Sequence, residues 1–317
     1  MEIYRWDLDK TYLETDFESV RGLVRSAIEA PEEKRNVPGS AALLRALSRR
    51  PGARVVILSG SPTQMREVLT QKLRLDGINF AELHLKDNVR NLRKGRLRAI
   101  KGQFGYKLPA LFAGRVGLGR AVSEHLFGDD AEIDAFVYSV FADAVAGRLT
   151  PVEVSRIMEA AGAYPDTRMR AIETLESIPT AEAVERIFIR LEKGVPPSKF
   201  APLGTRLVPI FSWFQAALVL YGADRLEAAD VRAVAIEVGK TRGIGPRAIA
   251  NLFQDIVRRG HVELSAMERL VEELGEGDVG PAIEACRRRV SWLRNTTYRT
   301  PSPPRGLDYV AALKAFR

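Results

Sequence analysis

Residues Arg54 to Leu58 read Arg-Val-Val-Ile-Leu, a run without polar alternation, bounded by Pro51-Gly52 before it and Ser59-Gly60-Ser61-Pro62 after it. A strand apolar on both faces belongs inside a parallel sheet covered by helices on each side. Ile3 to Trp6 is an earlier β-prone run, and between the two Ser40 to Arg49 sets Ala41, Leu44 and Leu47 on one helical face. Strand, helix, strand in that order predicts a parallel pair with a right-handed crossover. The first half of the chain is therefore expected to be α/β.

In open parallel sheets, ligands collect beyond the carboxyl ends of the strands. The first strand ends in Asp7, with Asp9 and Thr11 following at alternate positions. Alternate residues of an extended chain point the same way, so both carboxylates can converge on one small volume. Carboxylates so close repel unless a cation or proton separates them, and a hard divalent ion such as Mg²⁺ takes oxygen ligands of this kind. A carboxylate there is also suited to attack phosphorus and carry the phosphoryl group. Asp-x-Asp occurs equally in solvated turns, so partners are needed.

Three segments offer them. Ser59 ends the second strand, just before the helical run Thr63 to Leu75, where a hydroxyl and backbone amides suit a phosphate oxygen. Phe80 to Leu85 predicts a third strand, and the stretch Asn88 to Gly105 is strongly basic, ahead of Tyr106-Lys107. Leu126-Phe127-Gly128 predicts a further strand whose end carries Asp129, Asp130, Glu132 and Asp134 before the apolar helix Ala135 to Ala146. Acids at a helix start also favour its dipole without any further role.

These segments resemble the haloacid-dehalogenase superfamily of aspartyl-phosphate phosphatases. More closely, they are similar to the catalytic domain of the actin-patch-type phosphatidate phosphatases. The likeness runs from Trp6-Asp-Leu-Asp-Lys-Thr11 through Val37-Pro-Gly39, Leu58-Ser-Gly-Ser-Pro62, Leu83-His-Leu-Lys-Asp87 and Tyr106-Lys107 to Phe127-Gly-Asp-Asp-Ala-Glu-Ile-Asp134 and Arg148. It implies a Rossmann-like parallel sheet of haloacid-dehalogenase type with a minimal cap, over residues 1–148. It also implies roles. Asp7 would be the nucleophile, Asp9 the general acid and then base, and Thr11 a support for the loop. Ser59 would bind a phosphoryl oxygen and Lys107 neutralise charge, with Lys101 and Lys86 as rival lysines. Mg²⁺ would be held by Asp7, the backbone carbonyl of Asp9 and Asp129, with Asp134 and Asp130 beside it. Lys10 departs from the pattern, since eukaryotic relatives more often carry an acid there.

The 317 residues suffice for two domains, and 46% hydrophobic with 28% charged residues describes a globular chain. One cysteine, Cys286, excludes an internal disulfide framework, and no signal peptide opens the chain, so a cytoplasmic setting is expected. A net charge of +8 suits anionic partners: a phosphorylated substrate, including a lipid phosphate met by peripheral membrane contact. His84, His125 and His261 lie on separate segments, which argues against zinc.

Beyond Leu149 the likeness ends, and residues 149–317 are expected to form an all-α domain. Segments 151–162, 166–177, 180–193, 226–238, 246–259, 264–274 and 279–294 all carry helical patterning. The apolar run Leu207 to Tyr221 is too short and too interrupted to span a bilayer and reads as a buried central helix. Gly243-Ile244-Gly245-Pro246-Arg247 has the look of a phosphate-contacting hairpin but lacks its paired helices, so nucleic acid is disfavoured as a partner. The expected activity is Mg²⁺-dependent phosphomonoester hydrolysis. Rival readings are a phosphatase of phosphoproteins or nucleic-acid ends, and a non-catalytic anion-binding module.

Overall fold

The computed structural model describes residues 1–15, 29–87, 102–275, 280–294 and 306–315. Its centre is one six-stranded sheet, parallel throughout, in the order β3-β2-β1-β4-β5-β6. The strands are β1 (Glu2–Trp6), β2 (Ala53–Pro62), β3 (Glu82–Lys86), β4 (Ser123–Asp129), β5 (Val184–Arg190) and β6 (Leu207–Ile210). α1 (Ser40–Ser48) and α2 (Arg66–Leu75) follow β1 and β2; α3 (Phe104–Ala113) precedes β4, and α4 (Asp134–Val145) follows it. The expected helix from Glu14 to Ala30, which bears on the size of any cap, and the basic stretch from Asn88 lie mostly outside the described residues.

Two apolar layers clothe the sheet, because successive strand side chains face opposite ways. Tyr4, Trp6, Ile57, Phe127, Phe188 and Val208 face one layer, with α1. The same layer takes α7 (Trp213–Gly222), α8 (Ala228–Gly239), α9 (Pro246–Arg258), α10 (Leu264–Leu274) and α11 (Gly280–Leu293). Leu58, Leu126, Ile187, Ile189 and Leu207 face the other, with α3, α4, α5 (Pro151–Ala160), α6 (Pro165–Glu176) and α12 (Tyr309–Ala312). α5 starts where the sequence says it should: Thr150 and Glu153 cap each other reciprocally, with Pro151 at the first turn.

The second half is not all-α. Residues 184–190, expected within a helix, form β5 beside β4, and 207–210 form the edge strand β6 rather than the start of the helix that follows. Pro209 is tolerated there because an edge strand has one unpaired side. The buried helix expected across Leu207 to Tyr221 is confined to α7, whose residues from Trp213 to Tyr221 are all buried. No described helix is long and apolar enough to cross a membrane.

The second half also supports the loop after β1. Trp6 stacks on Phe127 at 4.3 Å between ring centroids and packs on Trp213 at 4.8 Å. The Trp213 indole N–H donates to the Thr11 carbonyl at 3.0 Å.

Candidate active site

Asp7 directly follows β1, and its amide donates to the Phe127 carbonyl at 2.9 Å, extending the ladder by one step. That pairing brings the ends of β1 and β4 together. Thr11 Oγ1 completes the link by donating to Asp129 Oδ2 at 2.9 Å. The other Asp129 oxygen accepts from the amides of Ala131 at 2.7 Å and Glu132 at 3.2 Å, which fixes the turn into α4.

Lys107 projects from α3 into this junction. Its ammonium lies 2.8 Å from Asp7 Oδ1, 2.5 Å from Asp134 Oδ1 and 2.9 Å from Glu132 Oε2. Lys107, Asp7 and Asp134 are fully buried, whereas the Glu132 side chain keeps 24% of its surface exposed. Of the rival lysines, Lys86 donates to the Gly102 carbonyl at 2.9 Å and so steadies the approach to α3. Lys101 lies outside the described residues.

Asp9 occupies a neighbouring niche. Its Oδ2 accepts from Ser59 Oγ at 3.0 Å and from Ser61 Oγ at 2.9 Å. Both serines reach it because β2 stays extended through Pro62, so alternate residues share a face. Ser61 was therefore findable from its spacing to Ser59. Gln103 was not: it packs its amide against Gly60, where an added Cβ would stand 2.4 Å from Nε2, and donates to Glu132 Oε1 at 3.0 Å. Glu132 stood in the acidic run, but only the turn held by Asp129 aims it at Lys107.

Oxygens of Asp7, Glu132 and Asp134 come within 4.8 Å of one another, a spacing that can hold a metal ion. Asp130 is not among them: its Oδ1 accepts from the amides of Glu192 at 2.6 Å and Lys193 at 3.1 Å. Asp7, Ser59, Lys107, Asp129 and Asp134 are all at 0% exposure.

The electrostatics favour another cation. Burial pushes the Asp7 carboxyl well above its usual range, with Lys107 opposing and Asp134, Glu132 and Asp129 adding to the rise. Burial likewise lifts Asp134 to about 7, against the pull of Lys107. Asp129 rises for the same first reason. Burial works against the charge on Lys107, but Asp134, Asp7 and Glu132 outweigh it and hold its pKa well above that of an ordinary lysine. One ammonium therefore serves several carboxylates. Asp7 Oδ2 and Asp134 Oδ2 are buried and accept no hydrogen bond, and Asp7 Oδ1 has only the Lys107 ammonium beside it. Such orphaned, hard oxygen donors fit a divalent cation.

Asp9 differs from these. Burial and the Glu132 charge raise it to about 6, while the Ser61 and Ser59 hydroxyls restrain the shift. A carboxyl titrating near neutrality is suited to both giving and taking a proton.

Residues 6–154 match the family model described as phosphatidate phosphatase APP1, catalytic domain. No curated protein and no solved structure matches the chain. The matched residues form a phosphatidate-phosphatase-like domain and include Asp7, Asp9, Ser59, Lys107, Asp129 and Asp134. The chain is accordingly an enzyme, a phosphatase of the class that hydrolyses phosphoric monoesters.

Proposed function

We propose that this phosphatase works through an aspartyl-phosphate on Asp7, in a haloacid-dehalogenase-type site dependent on Mg²⁺, and that its substrate is phosphatidate or a related lipid phosphate. The observation that carries the reading is the buried Lys107 ammonium shared by Asp7 and Asp134 at the joined ends of β1 and β4. An ammonium in that position neutralises charge on a phosphoryl group brought to Asp7.

An Asp7 oxygen attacks phosphorus, and the bond from phosphorus to the ester oxygen breaks. The Asp9 carboxyl gives its proton to the departing oxygen, releasing the alcohol. Water then attacks the phosphorus on Asp7 and passes its proton to the Asp9 carboxylate. The bond between phosphorus and Asp7 breaks, leaving inorganic phosphate and both acids as they began. Ser59 and Ser61 hold Asp9 for its two proton transfers, and Asp134 orients Lys107. Asp7, Asp129 and the Asp9 carbonyl, with Asp134 and Glu132 adjoining, would hold the ion. When bound, Mg²⁺ neutralises charge on the phosphoryl oxygens. In this reading the enzyme is cytoplasmic and meets its lipid at the membrane periphery, where a net charge of +8 favours anionic headgroups.

The test is phosphate release from 4-nitrophenyl phosphate with Mg²⁺ and with chelator, followed by a panel of phosphatidate, phosphopeptides and end-phosphorylated oligonucleotides. Turnover should require Mg²⁺, vanish in Asp7→Asn and be fastest on phosphatidate. Unchanged activity in Asp7→Asn would remove the nucleophile, and a preference for phosphopeptides or oligonucleotides would remove the lipid.

A further inference from the structure

The segment Gly243 to Arg247, expected to lack paired helices, has them: α8 ends at Gly239 and α9 begins at Pro246. The pattern then repeats along the chain. α10 ends at Leu274, and Gly280-Pro281 opens α11 as Gly245-Pro246 opens α9. α9 and α11 pack against each other. A cavity of about 570 Å³ lies between them, lined by Pro246, Arg247 and Ala250 from α9 and by Ala285, Arg288 and Arg289 from α11. Ala250 and Ala285 stand at the same step after each Gly-Pro, so equivalent positions of a repeated helix pair line it from both sides.

The charges on this face are of one sign. Its lining holds three arginines and no acid. Arg289 Nη2 donates to Asn251 Oδ1 at 2.8 Å and braces α11 against α9. Arg288 keeps an exposed contact with Glu284 at 3.3 Å, of a kind worth little in water. Lys240, Arg242 and Arg247 are exposed and pair with no described carboxylate. Between these cations the amides of Gly243, Gly245 and Arg247 donate to no described backbone acceptor. Nothing lies within 4 Å of where a Cβ on Gly243 or Gly245 would stand. A phosphate group can therefore reach backbone donors at the start of α9 with arginines on either side.

We propose that this face binds the sugar–phosphate backbone of a nucleic-acid duplex without regard to base sequence. The hairpin amides and the start of α9 take one phosphate, and Lys240, Arg242, Arg247 and Arg288 flank the strand. A single strand would need aromatic rings on which to stack its bases, and none lines the cavity. A membrane surface would need exposed apolar side chains to bury. Ile244 at the hairpin packs against the core instead, and no large hydrophobic residue from 240 to 251 is exposed. This surface lies outside the family match and acts independently of phosphoryl transfer at Asp7.

The test is fluorescence anisotropy of a labelled DNA duplex titrated with the full chain at several salt concentrations. Two duplexes of unrelated sequence should bind alike, and affinity should fall steeply as salt rises. The double variant Arg247→Glu, Arg288→Glu should weaken binding about tenfold or more and flatten the salt dependence. Gly245→Val changes no charge, and its Cβ enters open space at an ordinary φ of −94°, so it should fold as wild type. By shielding the hairpin amides it should weaken binding about fivefold, which a diffuse charge effect would not do. Both variants should keep the wild-type melting temperature and turnover of 4-nitrophenyl phosphate. A duplex that fails to bind at low salt, or that binds either variant as tightly as wild type, overturns this assignment. So does stronger binding to phosphatidylserine vesicles that is lost in the same variants, since the face would then be a membrane dock.

Discussion

Arg190, at the end of β5, donates through Nε at 3.1 Å and through Nη2 at 2.7 Å to the carbonyl of Lys10. Lys10 lies between Asp9 and Thr11 with a φ of 59°, a left-handed conformation that a lysine adopts at a cost. A residue from the second half of the chain therefore holds the strained step of the loop that carries both candidate catalytic aspartates. Strain of this kind persists only where surrounding contacts over-determine it.

The expected consequence is a kinetic defect larger than the loss of stability. Arg190→Ala should cost about 1–2 kcal/mol, since two charge-assisted hydrogen bonds are lost at a partly exposed position. The loop relaxes, Asp7 and Asp9 lose their alignment, and kcat on an aryl phosphate should fall about tenfold or more. Thermal melts and steady-state kinetics on one preparation separate the two effects. A kcat equal to wild type would mean that Trp213 and the β1–β4 ladder hold the loop without Arg190.

Gly128 gives a sharper steric prediction. A Cβ there would lie 2.5 Å from Asp134 Oδ2, 2.8 Å from Asp134 Cβ and 2.9 Å from the Tyr138 ring. The first turn of α4 would have to retreat from β4, drawing Asp134 off Lys107. Gly128→Ala should destabilise by about 1–3 kcal/mol, as overpacked sites do, and abolish activity. Gly60→Ala contrasts with it, because its Cβ meets only the movable end of Gln103. That variant should keep the wild-type melting temperature and lose part of its activity, and in combination with Gln103→Ala it should add nothing further. Additive losses would show that Gln103 is not what Gly60 makes room for.

The contrast between halves has a physical origin. The strands and acids of residues 1–134 were legible because each apolar run stops abruptly at polar residues, and acids at the ends of parallel strands must meet. β5 was not legible: Val184, Ile187, Phe188 and Leu191 fall at helical spacing, and a strand buried on both faces offers no alternation to contradict it. β6 is only four residues long and merges into the apolar run of α7, so Pro209 was its one sign. The aspartates could be found from motif spacing, but Glu132, Gln103 and Arg190 act through turns and pairings that form only in the folded chain. Ser61 lies between these cases.

Away from the site, His125 on β4 predicts acid sensitivity. It stacks on Tyr4 at 5.2 Å between centroids, and burial pushes its imidazole down to about 4, against the charge of Glu185 and Glu2 and with Arg225 and Arg186 nearby. The folded protein thus resists a proton that the unfolded chain accepts near its ordinary pKa of about 6.5. Stability is complete above pH 6.5, declines as the pH falls toward 4, and the decline from this group amounts to up to ~3 kcal/mol. His125→Phe keeps the ring stack and removes the proton site, so its melting temperature should fall less than that of wild type between pH 7 and pH 4.5. His261, also lowered to about 4 by burial, leaves a residual slope of the same sign. Parallel curves for the variant and wild type would mean that His125 takes up its proton without cost in the fold.

The charge balance around Lys107 predicts a trade between stability and function at Asp7. Its carboxylate is buried, has the Lys107 ammonium 2.8 Å from Oδ1 and no partner at Oδ2, and lies against Glu132 and Asp134. Lys107 retains Asp134 and Glu132 as partners if Asp7 is neutralised. Asp7→Asn should therefore melt at a higher temperature than wild type in chelator, because one of several crowded negative charges is gone. Adding Mg²⁺ should raise the wild-type melting temperature, by an amount equivalent to about 2.7 kcal/mol at one hundred times the dissociation constant. The same addition should move Asp7→Asn little, since the variant has lost an orphaned ligand and the repulsion that invites the ion. An Asp7→Asn protein that melts below wild type in chelator would show that the Lys107–Asp7 contact outweighs the repulsion. Equal Mg²⁺ shifts in both proteins would put the ion somewhere other than beside Asp7.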